Sequence, residues 1–261
     1  MRTLIASVLV LALIYVASCG LLYARQRSMM YYPVPRSLPA ETASIDLAVE
    51  DASLLITTRV IDSPKALIYF GGNGEDVSRS LEQLSATFPE HALYLMHYRG
   101  YGGSDGSPSE AALKADALVL FDHVRTDHQQ IAVIGRSLGS GIALHLASLR
   151  PVQRLALVTP YDSIEDIAAE QFPLFPVRLL LLDKYRSYLD AAKITVPTLV
   201  LLAEHDQVIP RASSELLLTR FSPGVASAQV IPGAGHNTIS ADSQYFPALR
   251  LALSNGEHLE N

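Results

Sequence analysis

One cysteine in 261 residues, Cys19, leaves the chain without an internal disulfide framework. No cluster of Cys and His has the spacing of a metal site, so neither a metal nor an organic cofactor is expected. Charge is scarce too: Asp, Glu, Lys and Arg together make up 18% of the residues, below the roughly one quarter that is usual. The 20 basic residues are scattered among 26 acidic ones, for a net charge of −6, and a nucleic-acid surface has no electrostatic footprint. Also missing are a Pro/Ser/Gly linker, an internal repeat and a low-complexity tract, which argues against a second folded domain. The Gly-rich stretches fit neither the dinucleotide-binding nor the phosphate-loop spacing. What is abundant is apolar surface, 49% of the residues, part of it gathered at the N-terminus.

There, Leu4 to Tyr23 is a run of twenty residues without a charge. At about 1.5 Å per residue a helix of that length crosses a hydrocarbon core of roughly 30 Å. Tyr23 would then sit at an interface, with Arg25 and Arg27 just beyond it. A competing reading is a cleaved signal, because Val16-Ala17-Ser18-Cys19 resembles a bacterial lipoprotein cleavage site and would make Cys19 the lipid-bearing N-terminus. Lipoproteins continue into a polar tether, whereas Gly20-Leu21-Leu22-Tyr23 stays apolar. This favours an uncleaved membrane anchor over residues 1–27, with Cys19 a small buried hydrophobe, and a catalytic domain over 28–261. Arg25, Arg27 and Arg36 outnumber Arg2 and the amino terminus across the run, which tilts the domain toward the cytoplasmic side.

Beyond the anchor, three prolines among aromatics between Met29 and Pro39 predict an extended lead-in lying against the domain. Ile45–Val49 and Leu54–Ile61 read as a first antiparallel pair of strands. Short apolar runs at 66–70, 92–96, 131–134, 155–158 and 198–202, with a last one ending near Ile231, read as further strands. Helical patterns from Asp76 to Thr87, Ser109 to Thr126 and Ala212 to Thr219 alternate with them, which predicts a parallel sheet covered on both faces.

The most informative stretch is Ile131-Ala132-Val133-Ile134-Gly135-Arg136-Ser137-Leu138-Gly139-Ser140-Gly141 and the apolar helix pattern after it. A strand that turns abruptly into a helix strains the turn residue and leaves no room for side chains beside it, hence glycines two places either side of Ser137. The hydroxyl stands at the carboxyl edge of the sheet, at the positive end of a helix. Serine needs a base and the base an orienting acid. Asp206 follows the 198–202 strand, and His236 lies in a Gly-rich loop after the last one, giving the order Ser…Asp…His. Ser137 is assigned as nucleophile, His236 as base, Asp206 as acid. Asp162, after the 155–158 strand, is the rival acid; Glu204 and His205 are expected to line the loop, and His97 to be a packed loop residue. His91, His123, His128 and His145, on or beside helices, and His258 in the tail are expected at the surface or in the core. For an oxyanion hole the backbone N–H of Leu138 and that of Asn73 are selected, Gly72 being the alternative to Asn73.

The chain resembles the serine hydrolases of the α/β-hydrolase superfamily. The likeness is carried by Tyr69-Phe70-Gly71-Gly72-Asn73-Gly74, Tyr98-Arg99-Gly100-Tyr101-Gly102, Ser107-Pro108-Ser109-Glu110, the turn at Ser137, Asp206 with Pro210, and Gly235-His236-Asn237. It is most similar to the membrane-anchored branch with a small cap, which includes protein depalmitoylases. The resemblance implies an α/β fold with an eight-stranded, mostly parallel sheet, and hydrolysis of esters or thioesters of a small-molecule or lipid-like acyl substrate. Two departures stand out. Gly71 occupies the place where the family has His before Gly-Asn, and the N-terminal Cys cluster of the depalmitoylating members is absent, so that activity is not carried over. An amidase or peptidase of the same fold, and a catalytically silent scaffold that binds a lipid or protein, are the alternative functions. The stretch Phe172 to Leu182 is too short for a large lid; it either lines an acyl pocket or packs on the sheet.

The two readings of the N-terminus separate by intact mass. An uncleaved anchor keeps its original N-terminus, and Cys19→Ser leaves the mass otherwise unchanged and membrane retention intact. A chain that begins at Cys19 and carries acyl groups would refute the anchor.

Overall fold

The computed structural model describes residues 1–38 and 42–254. Pro39, the end of the expected lead-in, and His258 lie outside the described residues. Among those described, eight strands form one sheet: β1 (Ser44–Val49), β2 (Ala52–Arg59), β3 (Lys65–Phe70), β4 (Ala92–Met96), β5 (Gln130–Arg136), β6 (Arg154–Val158), β7 (Thr198–His205) and β8 (Ala226–Gly235). Their spatial order is β1-β2-β4-β3-β5-β6-β7-β8. The β1–β2 and β2–β4 pairs are antiparallel and all others parallel, as the alternation of strands and helices predicts.

Side chains alternate across each strand, and here both faces are apolar because both are covered. From β3, Ile68 and Phe70 join a core with Leu120 and Phe121 of α3 (Glu110–Arg125) and Ile142 of α4 (Leu138–Leu149). Leu67 and Tyr69 point the other way, to Leu84 of α2 (Leu81–Thr87) and Leu249 of the C-terminal helix Tyr245–Leu253. The start of α3 is set by Ser109, whose side chain accepts from the Ala112 N–H. The expected helix from Asp76 begins instead as a 3-10 turn, Val77–Ser80, and becomes α-helical at Leu81. The cause is local: the Asp76 carboxylate caps the Ser78 N–H and also takes the Ser37 N–H and hydroxyl.

The N-terminal helix α1 runs from Arg2 to Met30, well past Tyr23 and across the 27/28 boundary read from the sequence. Extended backbone begins only at Tyr31, where the cap residue of α1 lies in the β region. The helix is prolonged because its last turns dock onto the cap, the segment 163–192 that carries α5 (Ile164–Gln171), α6 (Val177–Leu180) and α7 (Tyr188–Ala191). Arg27 makes a bidentate pair with Asp183 at 2.9 and 3.2 Å. Gln26 donates to the Leu180 carbonyl and accepts from the Leu182 N–H. Arg36 in turn donates to the Thr42 carbonyl. Two of the three arginines counted toward a membrane flank therefore have partners inside the protein. Of the alternatives for the cap, its apolar stretch faces α1 rather than the sheet: Phe172, Phe175, Leu180 and Leu181 surround a space shared with Leu22 and Met30. Cys19 is half-buried in α1.

Two histidines are buried and partnered away from Ser137 itself. His97 is buried with its Nε2 against the Thr57 hydroxyl at 2.9 Å, and His91 is buried beside Phe88. Burial lowers each to a pKa of about 4. Both rings are thus neutral in the folded chain near pH 7, whereas an unfolded histidine titrates at about 6.5. As pH falls below about 6.5 the unfolded state takes up protons that the folded state refuses until about pH 4, and stability declines by up to about 1.4 kcal/mol per pH unit for each ring. Urea denaturation should show a lower midpoint at pH 5 than at pH 7, and His91→Gln with His97→Gln should flatten that slope; an unchanged slope in the double variant contradicts the assignment.

Candidate active site

In a parallel sheet the loops after the strands share one edge, and ligands gather there. Asn73 follows β3, Ser137 follows β5, Asp206 follows β7 and His236 follows β8. The register brings His205 opposite Gly235, so the next residues, Asp206 and His236, leave the sheet side by side. A register irregularity between Ala203 and His205 lengthens β8 locally, and the Glu204 carboxylate accepts the N–H of Gly233 there. Glu204 and His205, expected to line the loop, are instead the last, exposed residues of β7, because pairing with β8 continues to His205 opposite Gly235.

Ser137 has φ 49° and ψ −117°, a conformation L-residues rarely adopt. Its N–H donates to the Val158 carbonyl on β6 at 2.9 Å, while its own carbonyl accepts from Ser140. The turn is possible because Gly139 lies against the end of β3: a Cβ there would collide with the Phe70 and Gly71 carbonyl groups. Leu138 opens α4, and the first N–H groups of a helix lack an intrahelical acceptor.

The Ser137 Oγ lies 2.9 Å from His236 Nε2. His236 Nδ1 lies 2.8 and 3.0 Å from the two Asp206 oxygens. An ionised carboxylate only accepts, so Nδ1 carries the proton and Nε2 is left to accept from the serine hydroxyl. Burial pushes the Asp206 carboxyl upward, but the His236 N–H and the backbone N–H groups of Ile209 and Val208 outweigh it, leaving the pKa below the ordinary carboxylate value. Asp162 is not near this chain of bonds. It is buried against Arg220 at 3.1 Å, and its N–H goes to Ser213.

The Asn73 loop is fixed from three sides. Tyr98 donates its hydroxyl to the Gly71 carbonyl at 2.7 Å. The Gly72 N–H is taken by Glu75 at 2.7 Å, so it is not free to meet a substrate. The Asn73 side chain accepts from the Tyr32 N–H and the Tyr101 hydroxyl and donates to the Met30 carbonyl, tying the loop to the end of α1. The family's departure at position 71 has a steric reason, since a Cβ on Gly71 would run into Val77.

Two residues of the site escape the sequence reading. Glu75 and Arg136 form a salt bridge at 3.0 Å with both side chains largely buried. Glu75 also accepts from the Tyr69 hydroxyl, and Arg136 donates to the His236 carbonyl at 3.3 Å. One ion pair thus spans the loops carrying Gly72, Ser137 and His236. The signal was present: Arg136 is a charge at the end of an otherwise apolar buried strand, and such a charge requires a partner. His145, by contrast, bonds Asp190 on the far side of α4, and His128 bonds Tyr94. Among the described residues no group of three or more His, Cys, Asp or Glu side chains is arranged to hold a metal ion.

An eight-stranded sheet with this crossover order, and a strained serine at the turn after its central parallel strand, define the α/β-hydrolase class. Residues 66–184 match the family described as alpha/beta hydrolase fold. The chain is 31% identical over 246 residues to an uncharacterized protein of Mycobacterium tuberculosis (strain ATCC 25618 / H37Rv), covering 87% of each chain, and it belongs to the α/β-hydrolase superfamily. It is 25% identical to protein bem46 of Schizosaccharomyces pombe, covering 88% of this chain and 86% of that one. The fold is shared with the Pyrococcus furiosus esterase Pf2001 at a TM-score of 0.66 and 17% identity, covering 85% of this chain and 98% of the other.

The Glu75–Arg136 pair generates a test of its own. Removing one partner of a buried pair costs about 3–5 kcal/mol, whereas replacing both by apolar groups is often near neutral. Glu75→Ala should lower Tm by roughly 10 °C for a domain of this size, and adding Arg136→Met should restore much of the loss. A double variant less stable than Glu75→Ala would show that the pair does not act as a unit.

Proposed function

We propose that this chain is a membrane-tethered serine hydrolase that cleaves carboxylic esters or thioesters. The observation that carries the reading is the continuous hydrogen-bonded order Ser137 Oγ, His236 Nε2, His236 Nδ1, Asp206 carboxylate, with the serine on a strained turn. His236 takes the Ser137 proton as the oxygen attacks the acyl carbonyl, and the Asp206 carboxylate stabilises the imidazolium. The developing oxyanion is met by the N–H groups of Leu138 and Asn73, a choice supported by the engagement of the Gly72 N–H with Glu75. Collapse expels the alcohol or thiol, which leaves with the proton from His236. Water then attacks the acyl-enzyme and gives its proton to His236; collapse frees the acid, and His236 returns that proton to the Ser137 Oγ. These steps use only side-chain and backbone groups of the chain and water. The α1 helix, 29 residues with a mean hydropathy of 2.5 over its most apolar window, is long and apolar enough to cross a membrane and supplies the tether.

A fluorophosphonate should label Ser137 covalently, and p-nitrophenyl esters should be cleaved far faster than the matching anilides. A folded chain that does not label would end the hydrolase reading and favour a silent scaffold; anilides cleaved as well as esters would move it to amide hydrolysis. Asp206→Asn should keep the fold and lower kcat by about 10⁴, because the imidazole loses its orienting charge and tautomer. Asp162→Asn should change kcat little, its partner being Arg220.

A further inference from the structure

The C-terminal half of α1 and the cap are fastened to each other at two levels. At the inner level are the Arg27–Asp183 pair and the two Gln26 bonds to Leu180 and Leu182. At the outer level the Tyr15 hydroxyl donates to the Leu174 carbonyl at 3.0 Å, and the Tyr15 and Phe175 rings stack with centroids 6.1 Å apart. Around the inner level and beyond it toward Tyr32 the surfaces do not close. They leave a partly open cavity of about 610 Å³ walled by Leu22, Met29 and Met30 on one side and Phe172, Phe175 and Leu181 on the other. That volume lies within the range of about 300–1,000 Å³ typical of small-molecule pockets. Apolar space of this kind is costly to leave empty and unattractive to water.

Its outer end, at Leu22, meets the end of the uncharged run Leu4 to Tyr23, and the outer fastening at Tyr15 lies deeper along that run. Tyr15 is eight residues before Tyr23, about 12 Å along a helix axis, and so well inside the uncharged run Leu4 to Tyr23. The cap segment that meets Tyr15 presents Leu174 and Leu179 to the outside, each 81% exposed. Bare leucines beside a membrane-spanning run are expected in lipid and costly in water. The inner end of the cavity reaches Met30 and Tyr32, the two residues whose backbone holds the Asn73 side chain.

We propose that this cavity binds the acyl chain of a lipid ester taken sideways from the bilayer, with the Leu174–Leu179 tip of the cap immersed beside α1. The assignment of that chain as substrate rests on Ser137 being the nucleophile; the binding itself does not. The proposal explains why the fold fastens anchor and cap at two levels along α1 yet leaves the space beside residues 22–32 unfilled.

The test uses the full chain carrying Ser137→Ala in phosphatidylcholine vesicles, with a C16 fatty acid bearing a mid-chain photoreactive diazirine as probe. Cross-links are expected in the peptide covering residues 168–182, and they should fall in graded fashion through Ala168→Val, Ala168→Leu and Ala168→Trp, at least fivefold for the last. Labelling of residues 4–14, which face lipid in any case, serves as the internal control. In the wild-type serine background, Ala168→Trp should lower the ratio of kcat/KM for long-chain to short-chain p-nitrophenyl esters at least tenfold. Variants that keep fluorophosphonate labelling of Ser137 are folded. Absence of cross-links in 168–182, or labelling indifferent to residue 168, overturns the proposal while leaving ester hydrolysis intact. Graded cross-linking in a chain that cleaves no ester would uphold the binding site and remove the hydrolase reading instead.

Discussion

The backbone at Ser137 is the constraint on which the rest of the structure depends. A φ of 49° for a serine costs of order 1–3 kcal/mol and persists only where the surroundings over-determine it. Here they do. The Ser137 N–H is spent on β6, its carbonyl on Ser140, and α4 is pressed so closely against the end of β3 that only glycine fits at position 139. The close approach needs β3 and β5 to be neighbours with buried, apolar strands, and those strands need helices on both faces. The helices in turn set which loops share the edge. A single strained turn therefore carries the sheet order, the two-sided core and the exposure of one hydroxyl.

Around that turn the protein uses charge sparingly. Glu75 and Arg136 form one buried pair that reaches three loops, while Asp206 holds His236. Concentrating the order in one pair makes the loops interdependent: the Gly72 N–H, the serine turn and the His236 loop shift together or not at all. The same economy appears in the cap. Asp183 receives Arg27 from α1 and also caps the first N–H of α3, while the Glu110 carboxylate takes the N–H groups of Lys184 and Tyr185. The apolar helix is thus wired into the domain through its last two turns, and Met30 continues that wiring to Asn73.

The fold class, the turn at Ser137 and the apolar N-terminal run were legible in the chain because each is a local pattern. A β-branched run, two glycines flanking a serine and a helical repeat declare themselves within about twenty residues, since strand period, turn sterics and helix period are all short-range properties. The antiparallel β1–β2 pair was legible for the same reason, being joined by a tight turn. Element ends were less so. The extension of α1 to Met30 and the 3-10 start before α2 follow from bonds to the cap and to Ser37, made by residues far away in sequence.

What only the tertiary structure decided is which distant groups meet. The chain offers Asp206 and, as its rival, Asp162 after successive strands; the register of β7 against β8 turns Asp206 toward His236, and a salt bridge to Arg220 occupies Asp162. Glu75 carries no sequence signal of its own, and its role exists only because β3 and β5 are adjacent. The cap's apolar stretch could have packed on the sheet or faced outward, and contacts with α1, some 150 residues earlier, settle it. Backbone preferences act over a few residues and are written in the sequence directly, whereas electrostatic and packing partners are selected by the sheet order, which emerges only once the whole core has formed.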